Sequence, residues 1–239
     1  MYPASVRLFT QLLPFVALAI VGELAIQIAK EKMSSGSGLT FVSVLIWAYL
    51  AFYAHASLLL PDNRDKAEDN KRVFGFALRT FGLGFLMMIP VVIGVIAVFS
   101  QVFTATATAG SEITAFVEIG ILLAVCFLIV FGLLGTLLPA FVADRGRGFS
   151  VAFSRGISQF LWTSGHFLAG PVLLFAVSYA ISIGGLYAMD PHIDLLNASY
   201  IPNIPLFLIL IVAYVIQALG TVMIAWVLST AFLRAEGPA

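Results

Sequence analysis

The sequence predicts an all-α, polytopic integral membrane bundle of about six transmembrane helices with one or two amphipathic interfacial helices, and three observations predict it. First, the 239 residues are 61% hydrophobic and only 10% charged, with a mean hydropathy of +1.06, where a soluble domain carries about a quarter charged residues. Second, the apolar residues fall into continuous runs near the ~20 residues that a helix needs to cross a bilayer. Third, Lys and Arg are segregated by connection, which sets orientation in a membrane although the net charge is zero. Continuous apolar runs must be helical there, because only a helix satisfies its own backbone where water is absent. The short alternating segments of a β-barrel do not occur.

Taken in order, the spans are 8–29, 39–60, 78–99, 113–142, 166–186 and 205–233. Arg7 before an apolar run has the look of a secretory signal. The run LFTQLLPFVALAIVGELAIQIA is too long for one and lacks a small-x-small cleavage site, so a retained span is expected. With the N-terminus inside, Arg7, Arg64, Lys66, Lys71, Arg72, Arg79, Arg145, Arg147, Arg155 and Arg234 lie on the inner side and only Lys30 and Lys32 outside. Both termini are therefore expected in the cytoplasm. PDNRDKAEDNKR reads as a solvated inner turn, SQVFTATATAGSE as an outer loop, and the Pro- and aromatic-rich segment 190–205 as an ordered outer cap.

The chain reads as one membrane domain, 1–239, with a pattern-level duplication of 40–100 and 120–186. Setting Arg79 against Arg155 aligns Val73, Ala77 and Phe81 with Phe149, Phe153 and Ile157, each set on an amphipathic entry helix before a span containing Pro90 or Pro171. In the second copy Phe149, Phe153, Ile157 and Phe160 form one helical stripe. That pattern predicts an interfacial helix whose Arg145, Arg147 and Arg155 meet anionic head groups.

Few residues suggest chemistry. Glu23 lies inside the first span and Glu118 near the outer start of the fourth, and an intramembrane carboxylate is by default a candidate ion or proton site. Glu23 is also about 10 Å from Lys30 and one turn from Gln27, which favours a structural pairing. His55, His166 and His192 lack the close spacing of a metal set, which leaves a metal or tetrapyrrole role for His55 or His166 a minor reading. Cys126, the single cysteine, lies in an apolar run and reads as a buried hydrophobe. Gly82, Gly84, Gly132, Gly135 and Gly165 suit close helix packing. Asn197, Ala198 and Ser199 match a glycosylation sequon. Phosphate-loop, dinucleotide and serine-hydrolase motifs are absent from the sequence.

At LLPAFVADRGRGFSVAFSRGISQFLWTSGHF the chain resembles the multi-pass membrane domain attached to some bacterial glycerophosphodiester phosphodiesterases, and its free-standing relatives of unknown function. Leu138, Pro139, Asp144, Arg155 and Trp162 carry the likeness, and Gly156 stands where that pattern has Ser. The resemblance implies a membrane domain of the bacterial inner membrane. It does not imply the phosphodiesterase reaction, since no soluble segment approaches the ~250 residues of the catalytic barrel. The expected function is a non-enzymatic membrane protein without cofactor or metal, associated with phospholipids and with membrane subunits or copies of itself, and with no nucleic-acid partner. The alternative is a small transporter or channel using Glu23, Glu118 or Gln217, with Pro14, Pro90 and Pro171 as breaks in its helices.

Overall fold

A computed structural model describes residues 2–32, 37–60, 70–104, 109–189, 195–196 and 202–236. Nine α-helices account for nearly all of them: α1 (Tyr2–Gln11), α2 (Leu13–Lys32), α3 (Ser37–Leu59), α4 (Asn70–Thr104), α5 (Ala109–Leu134), α6 (Leu137–Val142), α7 (Phe149–Phe167), α8 (Leu173–Met189) and α9 (Ile204–Glu236). Among the described residues six segments are long and apolar enough to cross a membrane: Leu13–Lys32, Gly38–Leu59, Lys71–Ala97, Glu118–Val142, Phe149–Ser182 and Ile204–Glu236. The molecule is an all-α, multi-pass bundle.

Local chemistry explains where the helices bend. Pro14 has no N–H to give the preceding turn, and its ring crowds the carbonyl four residues back. The chain is therefore interrupted at Leu12, whose N–H is shared between Leu8 O and Phe9 O at 3.1 Å each, and Val16 N–H to Leu12 O at 2.9 Å resumes the ladder, so that Leu8, Leu12 and Val16 share one core cluster. Pro90 is carried inside α4 without a break. Pro171 sits in a π turn, Leu168–Val172, that joins α7 to α8. A π turn adds one residue to the coil and so absorbs the missing donor. The Tyr2 hydroxyl of α1 donates to Ala169 O within that turn.

The entry segments expected as separate interfacial helices are continuous with their spans. α4 runs unbroken from Asn70, and α7 leads through the π turn into α8, because no proline or paired glycine lies early in either segment to stop it. The fifth span thus begins at Phe149 rather than at 166.

α9 is the central helix, packing against α1, α2, α3, α6, α7 and α8. Ala213, Ala218, Val222, Met223, Ala225, Val227, Leu228 and Ala231 on it are fully buried. At 33 residues it spans about 50 Å, well over the ~30 Å hydrocarbon layer. One core cluster joins Phe52, Phe76, Val142, Phe167 and Leu228. A second joins Leu8, Leu12, Val16, Leu50, Ala54 and Val222. Outward-facing positions are apolar too, Leu161 being 86% exposed, as expected of a surface solvated by lipid rather than water.

α2 and α3 form an antiparallel pair, with Phe15 on Tyr53 at one end and Glu23 on Ser43 at the other. The end of the bundle where α3 and α9 finish and α4 and α7 begin carries Arg72, Arg79, Arg145, Arg147, Arg155 and Arg234, and is called the basic end below. At the opposite end Leu195 is 3% exposed. Its N–H donates to both oxygens of Glu31 at 2.9 and 3.1 Å, and Asn203 N–H donates to Leu195 O at 2.9 Å. That much of the expected cap is tied to α2. Residues 190–194 and 197–201, with Asp190, His192, Asp194 and the Asn197 sequon, lie outside the described residues, as do 61–69 and 105–108.

Candidate functional site at the basic end

The basic end is built around α6, a six-residue helix buried on all sides. Its exit is closed by two crossed hydrogen bonds, Arg145 N–H to Ala140 O at 3.0 Å and Asp144 N–H to Phe141 O at 3.4 Å. This is a Schellman arrangement, whose C′ position must be left-handed. Asp144 occupies it at φ 59°, a conformation that Asp tolerates better than most residues other than glycine. Gly146 follows at φ 52°. The Asp144 carboxylate pairs with the Arg147 guanidinium, fixing the loop from within.

Four more arginines tie this end of the bundle together. Arg72 of α4 donates to Val142 O at 3.0 Å, satisfying a carbonyl at the end of α6. Arg79 of α4 lies 4.0 Å above the Phe141 ring while donating to Gly75 O at 2.9 Å. Arg147 approaches the same ring at 5.1 Å. Arg155 of α7 is 6% exposed, donates to Gly146 O, and lies 3.5 Å from the Glu236 carboxylate and 4.9 Å above the Phe232 ring of α9. Arg234 covers Trp162 at 4.5 Å. Cation–π contacts of this kind contribute about 0.5–1 kcal/mol at exposed sites and more when desolvated.

The three head-group candidates therefore separate. Arg145 and Arg147 face outward, whereas Arg155 points into the bundle with Nε and Nη1 making no hydrogen bond. The stripe of Phe149, Phe153 and Ile157 is exposed at 62%, 45% and 58%. The opposite side of α7, through Ala152, Arg155 and Gly156, packs inward. No sequence pattern signals the pairing of Arg79 with Phe141; α6 reads as the tail of a long apolar run, and only Pro139 marks its separate turn.

The intramembrane carboxylates also separate. Glu23 is 4% exposed and accepts from Ser43 Oγ at 2.7 Å, Trp47 Nε1 at 3.2 Å and Gln27 Nε2 at 3.4 Å. Tyr214 of α9 closes the other side, its ring centroid 6.4 Å from that of Trp47. Sequence spacing foresaw Gln27; Ser43 and Trp47, 20 and 24 residues away, were out of its reach. Glu118 is exposed on α5, which packs on α4 and α7, while Glu23 is ringed by α2, α3 and α9. No hydrogen-bond network joins the two among the described residues.

His55 and His166 each have their own partners. His55 is fully buried, with Nδ1 2.7 Å from Ser229 Oγ, its ring against Phe76, and no partner for Nε2. His166 donates from Nδ1 to Trp162 O at 2.7 Å and stacks on the Trp162 ring at 4.0 Å. Among the described residues no group of three metal-ligating side chains converges. Cys126 is buried.

Fold and site together define a multi-pass helical membrane protein with a structured array of arginines at one end. No family model matches the sequence, and no curated protein and no solved structure matches it.

Proposed function

We propose that this chain is a non-enzymatic, lipid-associated membrane protein, an accessory component that works with membrane subunits or further copies of itself. The basic end faces the cytoplasm and its arginines engage the anionic leaflet of the bacterial inner membrane. The observation that carries the reading is the placement of Arg145 and Arg147 on the outer surface of the turn after α6 and of exposed Arg79 on α4 against Phe141 of α6, flanked by exposed Phe74 and Leu78 of α4 and Phe149 and Phe153 of α7. Cations beside apolar side chains suit the boundary between head groups and acyl chains, where each is worth about 1 kcal/mol on an anionic surface. Both termini are then cytoplasmic, in keeping with the segregation of ten basic residues to that side.

The transport alternative would rest on Glu23. Its two oxygens already accept three hydrogen bonds from fixed neighbours, which favours a carboxylate that locks α2 to α3 over one that exchanges a passenger. Purification in a mild detergent followed by native mass spectrometry tests the proposal. Retained anionic phospholipid, with or without a partner subunit, is the expected result. Lipid-free protein that carries a Glu23-dependent ion flux in proteoliposomes would replace it with transport.

A further inference from the structure

We propose that Arg79 and Arg147 form a two-guanidinium clamp, built across the ring of Phe141, for a single phosphate group of an anionic phospholipid. This rests on the lipid-associated reading above and assigns it a site. Both guanidinium groups sit against the one Phe141 ring, 4.0 and 5.1 Å from its centroid, and so are close neighbours of like charge. Holding like charges together is unfavourable unless an anion joins them. Asp144 supplies one carboxylate to Arg147, but at 70% exposure it sits in high dielectric, where such a pair adds little.

The surroundings select a lipid phosphate. Phe141 itself is only 8% exposed and is held by the α6 turn and by Arg72 on Val142 O, so the guanidinium groups approach a fixed ring. Guanidinium groups match phosphate oxygens in fork geometry, which an ammonium does not. On α4 the exposed Phe74, Leu78, Phe81 and Phe85 recur at i, i+4, i+7 and i+11 and form one outward face alongside Arg79. On α7 Phe149, Phe153 and Ile157 do the same beside Arg147. A phosphate at the clamp would have acyl chains on apolar side chains to either side. Arg155, turned toward α9, and Arg234, on Trp162, lie outside the clamp.

The test is titration of the purified full chain in detergent with phosphatidylglycerol, read by native mass spectrometry, for wild type, Arg79→Gln, Arg147→Gln, the double variant, Arg79→Lys and Arg234→Gln. All variants are first checked for monodispersity and an unchanged melting temperature. Each single Gln variant should weaken binding about tenfold, as for loss of one charge-assisted bidentate contact. The double variant should lose less than the product of the two, because both arginines hold one phosphate. Arg79→Lys should behave like Arg79→Gln, and Arg234→Gln like wild type. Inorganic phosphate at millimolar concentration should not displace the lipid; displacement would make this a free-phosphate site and overturn the lipid assignment. Equal losses in Arg79→Gln and Arg234→Gln, or full binding by Arg79→Lys, would overturn the clamp in favour of diffuse charge and leave the lipid-associated reading standing. Absence of phosphatidylglycerol binding by wild type would overturn both.

Discussion

Replacing Gly156 with Ala should destabilise the bundle more than any other single methyl addition on α7. An ideal Cβ at position 156 falls 2.5 Å from the Leu133 carbonyl carbon and 2.6 Å from its Cα, and closer still to its oxygen. Carbon atoms pack at about 3.5–4.0 Å, so α5 and α7 must separate by roughly 1 Å. The obstacle is backbone and cannot rotate away. Separation would also strain the Thr136 hydroxyl bond to Ala152 O, 3.3 Å long and buried in the same crossing. Overpacking of a filled core costs about 1–3 kcal/mol, against a helix-propensity gain of up to ~1 kcal/mol for Ala over Gly. The expected net loss is of order 1–2 kcal/mol, a fall of several degrees in the melting temperature at 2–4 °C per kcal/mol for a chain of this size. Thermal unfolding in detergent, followed by fluorescence-detected size exclusion, reads it. Gly165→Ala is the internal control, since its Cβ meets nothing within 4 Å and should leave the midpoint unchanged or slightly raised. Equal midpoints for the two variants would refute the close α5–α7 contact.

Glu23→Gln should retain expression and lower the melting temperature only slightly, because an amide oxygen still accepts from Ser43 and Trp47. Glu23→Leu leaves those donors unpaired in an apolar interior, at about 1–3 kcal/mol, and should cost several degrees; equal midpoints for the two variants would argue against the hydrogen-bonded cluster. Arg155→Met should cost more than Arg145→Gln in the same thermal assay, since only Arg155 is buried against Gly146, Phe232 and Glu236. Equal, negligible shifts would contradict that burial. A periplasm-active reporter fused to the C-terminus should be silent and a cytoplasm-active one functional; the reverse pattern would invert the orientation assigned to the basic end.

The spans were legible because their signal is additive: twenty apolar residues in a row leave a helix no competitor in a membrane. Bends and junctions were less so. Pro14 broke its helix, Pro90 did not, and Pro171 was absorbed by a π turn, three outcomes that the proline alone does not distinguish. At the site, sequence position placed the arginines at one end but could not say which way each pointed. The apolar stripe on α7 was visible as a pattern; that Gly156 on its other side lets α7 close onto α5 and carries Arg155 inward is a property of packing between distant segments. Glu23 illustrates the same limit: its neighbour at i+4 was readable, while the donors from α3 required the α2–α3 pairing to be known.

The central claim, that the basic end is built for an anionic membrane surface, is tested most directly by stability in lipids of defined charge. The purified chain is reconstituted in vesicles of phosphatidylcholine alone or mixed with phosphatidylglycerol, and thermal unfolding is followed in both. With Arg79, Arg145 and Arg147 each worth about 1 kcal/mol against anionic head groups, the melting temperature should be several degrees higher in the anionic vesicles. That difference should collapse in the triple Gln variant and return toward zero in high salt. Identical melting curves for wild type in the two lipid mixtures would contradict the account.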